Sequence, residues 1–313
     1  MRIKKKEHWS NYWRQGHLTS LPCGFEANYD GEFLRFWDEQ FALLGSGACV
    51  LDVCSGNGSI ALLAQDYSRR KSLGFAIKAV DAADIDVSSA VKKNAALAQH
   101  LAAIEFIPNT LLERITEEPE SADLVTSQFG IEYTDWNRSA KNVHRILKRG
   151  GYFSMVAHSL DSTIITQIEL QLRDYNRLQN VDIFSRAFAF EGSENSPGKF
   201  VSQLDHALDK IYQLSKRSRS DVLSGVGSVL ENIRKLTVKQ FDEGFQAFAE
   251  LRAGVRVSHS IANDLLRVAR ALRKSPEWYQ VFMEYGLELI ESGALHYHTG
   301  EIAGKFYRYR KSA

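Results

Sequence analysis

Short apolar runs alternate with amphipathic stretches between residue 48 and about residue 159. Residues 48–53, 75–80, 104–107, 123–127 and 152–157 read as buried strands. Residues 59–67, 88–101 and 137–147 read as helices, the last stopped by Lys148-Arg149-Gly150-Gly151. Such alternation predicts a parallel sheet covered on both faces. Before it, Phe33, Phe36, Trp37, Phe41 and Leu44 lie at helical spacing, with Asp30-Gly31 as the helix entry. After residue 159 the pattern turns helical. Val201, Leu204, Leu208, Ile211 and Leu214 form one stripe, and Ile261, Leu265, Val268 and Leu272 another. Residues 192–198 read as a loop, and Gly225 with Gly227 as a break or kink. Strand character returns at residues 287–290 and 305–309.

This pattern divides the chain into an N-terminal helical cap (1–45), a sheet domain (46–160 with 284–313) and a helical insertion (161–283). The insertion suits a lid, a substrate-binding cap or a dimer interface.

Composition narrows the class. The 313 residues are 44% hydrophobic and 25% charged, as in a globular protein, with a formal net charge of +1. A strongly basic nucleic-acid coat is excluded as a global description. Three cysteines (Cys23, Cys49, Cys54) with no CxxC pair form neither a disulfide framework nor a structural zinc site. No metal site is expected. No apolar run reaches membrane-spanning length, and no apolar segment follows the charged start, so a reduced cytoplasmic setting is expected.

The chemistry gathers at the predicted carboxyl ends of the strands, where open α/β sheets bind ligands. In VLDVCSGNGSIALL (50–63) a strand runs into a glycine turn and then a helix. Gly56 and Gly58 let a ligand approach the backbone. The run from Gly56 to Ala61 also fits a GxGxxA dinucleotide fingerprint. Asp52 beside the turn would repel a pyrophosphate but suits an ammonium or sulfonium; its other reading is a loop-ordering acid. Asp81 ends the next strand, where an acid accepts ribose hydroxyls of NAD or of another adenosine ligand. Asp84 and Asp86 read as helix N-terminal charges. Asn109 follows the third strand, and residues 128–133 (Gln, Phe, Gly, Ile, Glu, Tyr) crowd the end of the fourth.

Together VLDVCSGNG, AVDAAD, IEFIPNT, SADLVTSQFGIEY and HRILKRGGYFSMVAHS are similar to the motifs of the class I S-adenosylmethionine-dependent methyltransferase superfamily. Cys54 stands at the usual first glycine of its turn, and Arg149 where proline is usual. The resemblance covers residues 45–160 and the C-terminal strand pair. It implies a Rossmann-like, mostly parallel seven-stranded sheet with an antiparallel C-terminal strand. It also implies S-adenosyl-L-methionine as cofactor. Asp52, Cys54, Ser55, Gly56, Asn57 and Gly58 would hold its methionine end and Asp81 its ribose, with Ala82 near the adenine. Asn109 and Thr110 would meet the adenine edge, and Gln128 with Phe129 would line the side of the transferred methyl.

Candidate catalytic groups are His158, Tyr133 and Glu132. His158 is a base near neutral pH or a hydrogen-bonded strand-end histidine. Glu132 is a base, a partner for a cationic acceptor, or the partner of an arginine of the insertion. Tyr133 orients an acceptor or packs. Trp9, Trp13 and Tyr29 are candidate substrate contacts that close over cofactor and acceptor and favour a sulfonium through their ring faces. From Lys199 to Ser275, 14 Lys and Arg oppose 8 Asp and Glu, a surface able to meet RNA phosphates but more often a solvated helix face. The favoured expectation is a methyltransferase acting on O or N of a small molecule. The alternatives are a tRNA or protein methyltransferase, a non-catalytic cofactor-binding scaffold, and an NAD-dependent oxidoreductase. Nucleic acid is the less favoured partner, no membrane partner is expected, and the insertion offers a homodimer surface.

Overall fold

Neighbouring residues of a strand point to opposite faces, and the first strand uses both. Val50 packs into one apolar cluster with Leu124 and Val156, while Leu51 and Val53 pack into another with Val125, Phe153 and Met155. A sheet buried on both sides needs helices on both sides. The computed structural model, which describes residues 7–20, 25, 27–181, 184, 197–237 and 240–313, supplies them.

The chain separates into two compact units, Met1–Ile165 with Val268–Ala313, and Thr166–Arg267. In the first, the elements run α1 (Glu7–Arg14), α2 (Gly31–Phe41), β1 (Cys49–Val53), α3 (Ser59–Lys71), β2 (Ala76–Val80), α4 (Ser88–Lys93), α5 (Ala98–Leu101), β3 (Glu105–Ile107), β4 (Ala122–Gln128), α6 (Trp136–Ile146) and β5 (Leu147–Ala157). The strands stand in the order β3-β2-β1-β4-β5-β7-β6. The first five are parallel; β7 (Ile302–Lys311) runs antiparallel to β5 and to β6 (Leu287–His296). This is the seven-stranded, mostly parallel sheet with an antiparallel end that the motifs implied. α2 and α3 cover one face through Phe33, Trp37, Phe41, Ile60 and Leu62. α6 covers the other through Ala140, Val143 and Ile146, joined by Trp278, Val281 and Phe282.

Local chemistry sets the boundaries. Asp135 caps α6 by accepting from Arg138 N at 3.2 Å. Arg69, Arg70 and Lys71 close α3 at its negative end. The helix expected over 88–101 is interrupted. Asn94 takes an extended conformation and its side chain accepts from Ala96 N, a local alternative to the helical bond. The Lys148-to-Gly151 stop also differs: α6 ends at Ile146 and these residues form the start of β5. A register shift there lets the backbone of Gly151 approach Asp123. The two C-terminal strands are each ten residues long, because charged residues such as Glu288, Glu291 and Arg308 continue the pairing past the apolar segments. Residues 268–283, placed in the insertion by pattern, belong with the sheet: Val268, Leu272, Trp278, Val281 and Phe282 share its core.

The second unit is helical. It holds most of α7 (Thr163–Gln179), all of α8 (Pro197–Ser215) and α9 (Val222–Arg234), and α10 (Phe241–Lys274) as far as Arg267. Leu204, Ile211, Leu223, Val226, Leu230 and Phe248 form its core. Asp174, 1% exposed, accepts from Arg177 and from the hydroxyls of Ser218 and Ser220. Gly225 and Gly227 do not break the chain. Both lie inside α9, whose apolar stripe outweighs the glycine cost. Of the loop read at 192–198, residues 192–196 lie outside the described residues, and Pro197 opens α8, a position that suits its missing N–H. Cys23 is also outside them.

Phe153 is fully buried, its ring centroid 4.8 Å from that of Phe282 and 5.6 Å from that of Tyr309. Phe153→Ala should cost about 3–5 kcal/mol in urea unfolding, as for other buried aromatic truncations; a loss below 1 kcal/mol would contradict this packing.

Candidate functional site

The sheet's strand order reverses between β1 and β4, and the predicted site residues collect at the carboxyl ends around that point. The turn after β1 has left-handed backbone at Cys54 (φ 56), Gly56 (φ 53) and Gly58 (φ 80). A non-glycine residue at the first position is accommodated by Gly130, because a Cβ on Gly130 would lie 2.4 Å from that of Cys54. Sequence reasoning missed this role of Gly130; the signal available was the cysteine at the family's glycine position.

Asp52 does not open onto the turn. It is 1% exposed, and its two oxygens accept from Thr126 Oγ1 (2.9 Å) and Ala61 N (3.2 Å). It ties β1 to β4 and to the first turn of α3, so its loop-ordering reading describes its position better than a contact with the methionine end. Burial raises its pKa to about 7.

Asp81 connects the second strand to the turn. One carboxylate oxygen accepts from Gly56 N (2.8 Å) and the other from Ala83 N (2.6 Å). Thr110 N donates to Asp81 O, and Asn109 N to Ala83 O. Asp81, Ala82, Asn109 and Thr110 therefore form one ledge beside residues 54–58. Asn109 is exposed, at φ 56, and its amide donates to Asp84.

α1 lies over the turn. A Cβ on Gly56 would fall 2.3 Å from the Trp13 ring, so the indole lies directly against that glycine. Asn57, fully buried, donates to the carbonyls of Trp13 (2.9 Å) and His17 (2.8 Å). Arg14 pairs with Asp84 at 2.7 Å, and Asp84 N donates to Ser10 Oγ. Trp9 stacks on Trp13 and meets Tyr133 edge-on. Tyr29 is not part of this cover. It is 3% exposed, its hydroxyl bonds to Ser20, and its ring packs on Phe25, Phe33 and Phe129.

The ends of β4 and β5 bring together the remaining candidates. Gln128 Oε1 accepts from the Trp37 indole at 2.6 Å. Phe129 stacks on His158 with centroids 4.7 Å apart. Glu132 Oε1 accepts from His158 N at 2.8 Å and lies 3.9 Å from His158 Nε2. Both side chains are buried, yet Glu132 Oε2 and His158 Nδ1 have no hydrogen-bond partner among the described residues. Burial lifts the Glu132 pKa to about 7 and depresses that of His158 to about 3, so His158 is a neutral imidazole and a feeble base. Tyr133 stands edge-on to His158. Glu113, which the sequence did not single out, accepts from Asp135 N with one oxygen and leaves the other buried and unpartnered. Desolvation, then Asp81, Glu113, Glu132 and Asp52, push the Cys54 thiol pKa upward, which puts four acids around the turn.

Among the described residues no three His, Cys, Asp or Glu side chains form a metal-holding group, and no helix is long and apolar enough to cross a membrane.

Residues 35–180, just under half of the chain, match the model of the ubiE/COQ5 methyltransferase family. No curated protein matches. Among solved structures, a TehB-like S-adenosylmethionine-dependent methyltransferase from Corynebacterium glutamicum is 13% identical over all of both chains, with a TM-score of 0.41. Phosphoethanolamine N-methyltransferase 2 of Haemonchus contortus, in complex with phosphomonomethylethanolamine and S-adenosylhomocysteine, is 14% identical over 99% of this chain and 58% of that one, at 0.41. A Haloferax volcanii complex with the Trm112 methyltransferase activator is 18% identical over 53% of this chain and 66% of that one, at 0.35. None of these scores carries an argument of its own. The family match falls on the segment holding β1 to β5 and the glycine turn, within the sheet order described above. The matched segment is thus similar to the ubiE/COQ5 methyltransferases and sits on a Rossmann-like sheet, and the activity it points to is methyl transfer with S-adenosylmethionine as the cofactor.

Proposed function

We propose that the enzyme methylates an O or N atom of a small-molecule acceptor, with Glu132 as the group that removes the acceptor's proton. The observation that carries this reading is the buried Glu132–His158 pair, with one unpartnered polar atom on each side chain, beside the glycine turn. A buried polar atom without a partner costs free energy that a bound ligand can recover. Groups this deeply buried suit a small acceptor better than a tRNA or protein surface.

The residues present fit the cofactor. Asp81 holds Gly56 N and Ala83 N and, as a carboxylate at the end of β2, would accept a ribose hydroxyl. Ala82 would flank the adenine, Asn109 and Thr110 would meet its edge, residues 54–58 the methionine end, and Gln128 with Phe129 the side nearest the acceptor. When bound, S-adenosylmethionine supplies a methyl already activated on a sulfonium. The protein's own tasks are to align the acceptor, exclude water and take a proton. Glu132, with a pKa near 7, is matched to proton removal at neutral pH; His158 serves as a hydrogen-bond acceptor. Trp13 must leave Gly56 for a nucleoside to lie along the turn, which makes α1 a cover that opens and recloses.

Asp81→Ala should weaken S-adenosylmethionine binding by roughly 1–3 kcal/mol in calorimetry, the cost of unpaired ribose hydroxyls; unchanged affinity would remove Asp81 from the site. Titration with S-adenosylhomocysteine should alter tryptophan emission, and Trp13→Phe should abolish most of that change. An identical response in the variant would mean that the indole stays in place.

Stability should also depend on pH through Glu132. The unfolded chain loses this proton near pH 4.5, the folded chain near 7. Stability therefore falls as pH rises through that window, by about 3 kcal/mol in total. Glu132→Gln should match the wild type in urea unfolding at pH 4 and exceed it at pH 8. The rising limb of kcat with an apparent pKa near 7 should vanish in the same variant. Equal stabilities at pH 8 would show that the carboxyl is not desolvated.

A further inference from the structure

Resting on the proposed cofactor site, we infer that α1 is an autoinhibitory plug, seated on the glycine turn in the cofactor's place, and that Asp84 is the latch that holds it there. The plug is Trp13, whose ring passes 2.3 Å from the position of a Cβ on Gly56. A nucleoside and this indole cannot share that surface. Trp9 lies four residues earlier on the same side of the helix and stacks on Trp13, with ring centroids 6.0 Å apart. It also meets the Tyr133 ring at 5.8 Å. One short helix therefore covers both the glycine turn and the tyrosine beside the proposed acceptor groups.

Asp84 grips α1 at two points. Its carboxylate accepts from Arg14 Nη2 at 2.7 Å, and its backbone N–H donates to Ser10 Oγ at 2.9 Å. The same carboxylate accepts from Asn109 Nδ2 at 3.2 Å, on the ledge expected to meet the adenine. The hold on the helix thus runs into the cofactor's own ledge. Hydrogen bonds from Arg14, then from Asn109, keep the Asp84 carboxyl below its ordinary pKa.

The plug is built to be released. α1 has eight residues, too few to persist as a helix without its contacts. Beneath it, fully buried Asn57 spends its amide N–H groups on the carbonyls of Trp13 and His17, while its Oδ1 has no hydrogen-bond partner among the described residues. An unpaired buried acceptor costs free energy that opening to water recovers. The Arg14–Asp84 pair is half-exposed, so solvent weakens it. The cofactor binds only the fraction of molecules whose α1 has lifted, and its apparent affinity is reduced by that fraction.

The test uses the full chain and S-adenosylhomocysteine. In stopped-flow mixing of the wild type, followed by tryptophan emission, the observed binding rate should level off with rising ligand at the rate of α1 opening. A rate that climbs in proportion to ligand throughout overturns the inference without any variant. By calorimetry, the double variant Ser10→Ala with Arg14→Ala should bind about threefold or more tightly than the wild type, as expected for the loss of two exposed contacts. Its rate ceiling should rise by a similar factor. Arg14→Lys, which keeps a cation for Asp84, should stay within about twofold of the wild type. Unchanged or weaker binding in the double variant would mean that α1 does not exclude the cofactor, and would also overturn the inference. No binding by the wild type, or binding that Asp81→Ala leaves unchanged, strikes the proposed cofactor site instead.

Discussion

Left-handed backbone comes freely to Gly56 and Gly58 but at Cys54 is tolerable only while its surroundings hold it there. Two carboxylates do so from opposite sides. Asp52 anchors the turn from beneath through Thr126 and the start of α3. Asp81 holds Gly56 N from the neighbouring strand. Everything that makes the sheet edge a site follows from this arrangement. It aligns the α3 N-terminus, positions the ledge formed by residues 81, 82, 109 and 110, and gives α1 a surface on which Trp13 can settle.

The electrostatics are lopsided. Asp52, Asp81, Glu113 and Glu132 all act on the Cys54 thiol, and the imidazole nearest to Glu132 is held neutral by its own burial. The outer ion pairs, such as Arg14–Asp84, are half-exposed and belong to the rim, where solvent screens them.

Much of the fold was legible because its signals are short-range. The five parallel strands are apolar runs of near-minimal length, and alternation of strand and helix leaves few topologies. The glycine turn and Asp81 were legible because their spacing is chemical. Less visible were features that depend on partners far along the chain. Asp52 looks like a ligand contact until Thr126, 74 residues away, takes its carboxylate. Tyr29 looks like a site aromatic until it is surrounded by Phe25, Phe33 and Phe129. Gly225 and Gly227 look like a break because propensity counts the residue and not the stripe of Leu223, Val226 and Leu230 that holds the helix. His158 looks like a base because its intrinsic pKa is familiar, while burial depresses that pKa to about 3, which no local sequence signal announces.

The close approach of residues 54 and 130 has a consequence for inheritance. The space between them admits one β-carbon, and this chain assigns it to the cysteine. A descendant lineage that restores glycine at 54 frees 130 to vary, while one that enlarges 130 first must pass through a damaged intermediate. The two positions are thus expected to drift as a linked pair, with a preferred order of replacement written into the sterics of a single contact.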